Sequence, residues 1–302
     1  MKHAKDFFLE HKKLCVLSFL FLLLFFGVFL SSKAAEPYAH ITPNYPQEEI
    51  ISVFLKEELN EGDYKKILFQ TGLGKQSVDY LRKIRPKTIN ESNMEYKLWK
   101  SKVDNLHKKF FEEVNFTQKA NTLISCEEIL IDNDGNPVNG ISFVDLEDGD
   151  ILVTKCSRIY GWRNGHAALV IDAKNEKTIE SVVLGEDSCI QNLRKWKHYP
   201  NVMVFRLKGK DQAYRKKIAD WAIQNMENLP YRLSVGILSK KDGKEGKYNG
   251  TQCAHLVWAA YWQFGYDLDG DGGKIVTPKD LANSSCLEIV QLYGTDPQEP
   301  WK

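Results

Sequence analysis

The rhythm of apolar and polar positions changes twice along the chain. Near the start lies one unbroken apolar run, Leu14 to Leu30, "LCVLSFLFLLLFFGVFL", without a charge. From Pro46 to about residue 122 the period is helical. "PQEEIISVFLKEEL" sets Ile50, Ile51, Phe54 and Leu55 at helical spacing behind a proline. "GDYKKILFQTGLGKQSVDYLRKI" predicts two short helices split by "TGLG", and "MEYKLWKSKVDNLHKKFFEEV" repeats Leu98, Val103, Leu106 and Phe110 on one side. Around residue 126 the period becomes that of strands. "CEEILIDNDGNPVNGISF" predicts a hairpin about "DNDGN", and "GDILVTK" (149–155), "HAALVID" (166–172), "KTIESVV" (177–183) and "NVMVFRLK" (201–208) predict strands. Helices follow: "DQAYRKKIADWAIQNM" capped by Asp211, then Cys253 to Phe264, then "TPKDLANS" with Pro278 in its first turn. Strands first and helices after them predict an α+β domain over 126–302, behind a helical region at 47–125 that gathers no catalytic residue types.

The apolar run decides the compartment. Lys2, Lys5, Lys12 and Lys13 precede it, and Ser32 and Ala34 behind it fit the small-residue pattern of a cleavage site. Residues 1–35 therefore read as a signal peptide, with an uncleaved anchor as the alternative. Seventeen residues at about 1.5 Å each reach roughly 25 Å, marginal for a bilayer. Either reading places residue 36 onward outside the cytoplasm, secreted or associated with the membrane through residues 14–30. Cys15 stands at the head of the run, not behind it, so it is not placed like a lipidated cysteine. Residues 36–46, "EPYAHITPNYP", hold three prolines and read as an exposed linker.

Export changes what the cysteines mean. Without Cys15 five remain: Cys126, Cys156, Cys189, Cys253 and Cys286. If the others pair, an odd count leaves a free thiol, and Cys253 is the best candidate. Composition adds an exclusion. The net charge is +1, where a nucleic-acid-binding domain normally carries a strong basic excess.

Cys253 opens a predicted helix directly after Gly250 and Thr251, with Ala254, Leu256, Val257, Ala260 and Tyr261 as the buried side. A thiol there meets the positive end of the helix dipole, which favours the thiolate. The unpaired N–H groups of the first turn can also hold an oxyanion. A base is needed next. His255 is two residues away and faces elsewhere on a helix. His40 lies in the linker, His107 in the helical region and His198 in a loop after "RKWK". His166 begins an apolar strand just after Gly165, where its ring stands at the end of the sheet. The base needs an orienting group. Glu180 in "TIES" is a carboxylate on a strand between apolar neighbours, which requires a partner. Asp172 shares parity with His166 and is the reserve.

These residues lie in a recognisable order. "GDILVT", "GHAALVI", "TIES", "VFRLK", "LPYRL", "TQCAHLVWAAY" and "TPKDLANSS" resemble, over roughly 140–290, the YiiX/YebB-like branch of the NlpC-type cysteine hydrolases. The resemblance implies a circularly permuted papain-like fold with an antiparallel sheet, in which histidine precedes cysteine. It implies Cys253 as nucleophile, His166 as base and Glu180 as third member, and cleavage of an amide or ester through an acyl-enzyme without cofactor or metal. Some secreted bacterial members look similar at "QTGLGK" too. Ala254 departs from the serine that many relatives carry after the cysteine, which bears on the pocket wall.

Other signals are weaker. "DLDGDGG" places Asp267, Asp269 and Asp271 like the first half of an EF-hand loop, but position twelve is Pro278. A tight acidic turn is the better reading, with weak calcium binding second. "IDNDGN" at 131–136 reads as a turn, and Cys-x-His at 253–255 is too close for zinc. Asn90, Asn115, Asn249 and Asn283 begin glycosylation sequons, relevant only in a glycosylating source. Tyr231 after Pro230 lines the cleft or simply packs. The expectation is an exported thiol hydrolase acting on peptide, peptidoglycan or a lipid-like acyl group. An acyltransferase on the same scaffold and an inactive wall- or membrane-binding module are the alternatives.

Overall fold

The computed structural model describes residues 16–27, 38–159, 161–244 and 246–301. In chain order, residues 16–27 are helical (α1). They are followed by α2 (Ile51–Leu55), α3 (Glu61–Thr71), α4 (Lys75–Lys83), α5 (Met94–Phe110), β1 (Asn115–Ala120), β2 (Ser125–Ile131), β3 (Ile151–Thr154), β4 (Ser157–Ile159) and β5 (Trp162–Arg163). Then come β6 (His166–Asp172), β7 (Lys177–Glu180), β8 (Cys189–Asn192), a 3₁₀ turn (Leu193–His198), β9 (Val202–Leu207), α6 (Gln212–Met226), α7 (Cys253–Trp262), α8 (Pro278–Ala282) and β10 (Leu287–Tyr293). Of the N-terminal readings, the flanking lysines, Cys15, Ser32 and Ala34 lie outside the described residues. Among the described residues no helix is long and apolar enough to cross a membrane.

The architecture is α+β. Six strands form one antiparallel sheet in the order β10-β9-β3-β6-β7-β8, and β1-β2-β4-β5 form a smaller one. Side chains alternate across the large sheet. Ala167, Leu169 and Ile171 of β6 pack with α6 and α7, while Ala168 and Val170 pack with Trp196 and Tyr199 on the other face. Both faces are buried, which is why β6 reads as a near-continuous apolar run.

The N-terminal helices have their own core, built from Phe54, Ile67, Val78, Leu81 and Trp99. They dock on β10 through "TGLG". Gly74 N–H donates to Val290 O at 2.9 Å, and Leu292 N–H donates to Gly72 O at 2.7 Å. Gly72 has φ +72°, and a Cβ there would lie 2.0 Å from Leu292 O. Only glycine allows that approach.

Several local readings are corrected. The inward stripe of α5 is Tyr96, Trp99, Val103, Leu106 and Phe110, spaced alternately by three and four, and Leu98 is exposed. Helix stops at Phe110, and β1 stands where helix was expected to run on to about 122. It pairs with β2 from Asn115↔Ile131 to Ala120↔Cys126, because the turn at 121–124, closed by Asn121 and Thr122 N–H groups donating to Ser125 O, lets the chain fold back. The expected hairpin about "DNDGN" shrinks to one bridge, Ile131↔Pro137; a proline cannot donate to a ladder. Residues 38–46 are not an exposed linker. Ala39 is buried, Ile41 N–H donates to Gly294 O, and Tyr45 OH donates to Phe69 O at 2.6 Å.

Candidate active site

Cys253 is the first residue of α7 because Gln252 ends the extended chain and caps the helix, its Oε1 accepting from Ala254 N–H at 2.9 Å. The other end of that amide donates to Val276 O at 2.6 Å, which fixes the cap. The thiol is 7% exposed. It donates to Gln252 Oε1 at 3.4 Å, and the His166 ring lies near it.

His166 opens β6 opposite Thr154. Gly165 before it has φ +73°, and a Cβ there would strike Thr154 O and the Trp301 ring. The chain can therefore enter the strand only through glycine. At the strand's first position the ring reaches the head of α7, which packs against β6. The ring lies on Trp196, centroids 5.5 Å apart and planes 20° from parallel. Its Nε2 meets Glu180 Oε2 at 2.6 Å.

Register brings in Glu180. Leu169 pairs with Ile179 and Val170 with Thr178, so Glu180 falls beside Ala168 and diagonal to His166 on the same face. The carboxylate is wholly buried. Oε2 also meets Lys195 Nζ at 2.7 Å, while Oε1 accepts from Thr178 Oγ1 at 2.5 Å and Trp196 Nε1 at 3.0 Å. Burial pushes the Glu180 pKa up, but the Lys195 charge and the His166 hydrogen bond outweigh it and hold the group below the usual carboxylate range. Burial likewise lowers His166. The hydrogen bonds to Cys253 and Glu180 overcome that and the opposing charge of Lys195, raising it to about 9.

Tyr231 completes the near surroundings. It is tied to the strand leading into α7 by Arg232 N–H to Thr251 O (2.7 Å) and Thr251 N–H to Pro230 O (3.0 Å). Burial, and then the nearness of the Cys253 charge, raise its phenol pKa. Among the described residues no acceptor is bonded to the Cys253 N–H.

The remaining sequence candidates lie elsewhere. Asp172 is at the far end of β6, six residues or about 20 Å from His166, and binds Asn175 in a turn. His255 bonds Thr251 Oγ1 and Lys241 O, His40 bonds Pro200 O, His107 bonds Gln70 and His198 bonds Val138 O. All five described cysteines are free thiols. In the acidic turn Asp267 accepts from Trp258 Nε1, while Asp269, Asp271 and Asp280 bring carboxylate oxygens within 4.8 Å of one another. Lys241 already supplies a cation to Asp269. Sequence reasoning missed Lys195, Trp196 and Gln252. The signal for the first two was an aromatic set between cations in "RKWK", read only as a loop.

No family model matches the chain. It is similar to the uncharacterized protein YycO of Bacillus subtilis (strain 168), 26% identical over 147 residues. That match covers 48% of this chain and 56% of YycO, so little more than half the relative's length. Among solved structures it is similar to the metalloprotein YiiX from Escherichia coli O157:H7, at 14% identity and a TM-score of 0.35, over 48% of this chain and 96% of that one.

Proposed function

We propose that the chain is an exported thiol hydrolase with a permuted papain-like arrangement, cleaving an amide or ester through a thioester acyl-enzyme. The observation that carries this reading is the buried His166–Glu180 hydrogen bond beside the Cys253 thiol at the head of α7. His166 takes the thiol proton, and Glu180 fixes its ring and supports the imidazolium. The thiolate attacks the substrate carbonyl, and the new oxyanion faces the Cys253 N–H and the Tyr231 hydroxyl. His166 returns its proton to the leaving amine or alcohol. It then draws a proton from water, which releases the acid and frees the thiol. Trp196 and Lys195 hold the histidine–glutamate pair and take no part in bond breaking.

The substrate classes that suit the reading are peptidoglycan stem peptides, other peptide amides and lipid esters. The test is turnover of these by the wild type and by Cys253→Ala, with products read by mass. An acyl-enzyme at Cys253 and activity lost in the variant support the reading. Unchanged activity in Cys253→Ala ends it. Product analysis with and without an added amine separates hydrolysis from acyl transfer.

A further inference from the structure

One surface of the sheet domain is apolar. A cavity of 620 Å³ is walled by Ile159, Trp162, Asn164 and Leu233, with Phe21, Leu24 and Phe25 of α1 on its other side. Asn164 of this wall stands two residues before His166 in the chain, and Leu233 stands two after Tyr231. Even with α1 in place Trp162 and Leu233 stay 43% and 41% exposed, and further along the same loop Ile237 and Leu238 are 56% and 83% exposed. Residues 232–248 carry five basic residues against two acidic, a net +3. Lys240, Lys244 and Lys247 among them are exposed.

The loop is held at its feet. Arg232 N–H donates to Thr251 O at 2.7 Å. Lys241 pairs with Asp269 and donates to Gly273 O at 3.0 Å, and its own carbonyl meets His255 Nε2 at 2.8 Å. The apolar residues between those feet are thus presented by an anchored loop. Exposed aliphatic and tryptophan side chains bordered by lysines suit the boundary between anionic headgroups and acyl chains.

The docked segment at 38–46 strengthens the case. If the run 14–30 enters a bilayer, only residues 31–38 separate it from the body. Eight extended residues span at most about 29 Å, so the rim works at a high effective concentration of lipid. The helix that forms the cavity's other wall is itself part of that apolar run, so the rim already faces apolar side chains.

We infer that this rim is a membrane-docking surface: Trp162, Leu233, Ile237 and Leu238 enter an anionic bilayer, and Lys240, Lys244 and Lys247 meet its headgroups. The inference does not rest on the chemistry of Cys253.

The test is hydrogen–deuterium exchange on the full chain, alone and with phosphatidylcholine vesicles with or without one-third phosphatidylglycerol. Peptides covering 156–165 and 232–248 are expected to exchange several-fold more slowly with the anionic vesicles than with the neutral ones. Lys240→Glu/Lys244→Glu/Lys247→Glu is expected to remove the difference while keeping the melting temperature. Protection confined to residues 14–30, or equal with both vesicle types, overturns the inference. Protection of the same peptides without lipid that grows with protein concentration also overturns it, in favour of a second copy. A turnover assay is not involved, so failure here and failure of the hydrolase reading are separable.

Discussion

Two wholly buried carboxylates lie in the large sheet domain, and they answer burial in opposite ways. Glu180 collects four side-chain donors, from His166, Lys195, Thr178 and Trp196, and stays ionised well below its ordinary range. Asp150 has one guanidinium, with Arg206 Nε at 2.7 Å and Nη2 at 2.8 Å, and the Glu147 N–H donates to its Oδ2 at 2.8 Å. There burial outweighs Arg206 and the pKa is pushed up to about 6. By perturbed titration alone both would be marked as sites. What separates them is the partner's other side. His166 bonds Glu180 with one nitrogen and lies beside a thiol, whereas Arg206 spends its remaining N–H groups on Asp145 and on Gln76 of α4. The second cluster therefore fastens the helical layer to the sheet.

That contrast is open to mutation. Cys253→Ala is expected to cut turnover by at least ~10⁴-fold with an unchanged melting temperature, read from turnover and thermal melts. Arg206→Met should do the reverse. Activity per folded molecule stays near that of the wild type, while urea unfolding loses about 3–5 kcal/mol, because Asp150 is left buried without its cation. An Arg206 variant that keeps its stability but loses activity would dissolve the distinction.

A smaller effect sharpens the thiol side. His166→Ala should slow alkylation of Cys253 by iodoacetamide at neutral pH by ~10-fold or more, read by peptide mass. Arg206→Met should leave that rate alone. Equal rates in wild type and His166→Ala would mean that the histidine does not activate the thiol.

What was legible beforehand follows from how local each cause is. β6 and α6 run as the sequence reading has them because strand alternation, the Asp211 cap and the apolar stripe are local. Cys253, His166 and Glu180 could be nominated one by one from their places at a helix start, a strand start and an apolar strand. Their meeting could not, since it depends on the β6–β7 register and on α7 crossing β6. Lys195 and Trp196 were hidden for a related reason. They act from a 3₁₀ turn whose position over Glu180 is set by β8, a four-residue strand too short to announce itself. β10 was missed because its partner β9 lies some 80 residues earlier in the chain. The docking of 38–46 depends on the same long-range pairing.

The pH response of the site gives the subtlest test. His166 is raised from an ordinary 6.5 to about 9, so its protonated form favours the fold. That contribution is complete below pH 6.5 and is lost as pH rises through about 9. Glu180 is lowered from 4.5, so its contribution is complete above 4.5 and is lost as pH falls through its depressed value. The gap in melting temperature between wild type and His166→Gln should therefore be widest between pH 4.5 and 6.5 and close toward pH 9 and above. Lys195 enters here. Its ammonium faces Glu180, with Glu127 as its other charged neighbour, and it works against the positive charge of His166. Lys195→Met should move the alkaline limb of turnover upward by on the order of half a unit, and Lys195→Arg should leave it in place. An unmoved limb in Lys195→Met, with only the melting temperature lowered, would place Lys195 with Arg206 as a fastening of the fold and leave Glu180 and His166 to set the protonation alone.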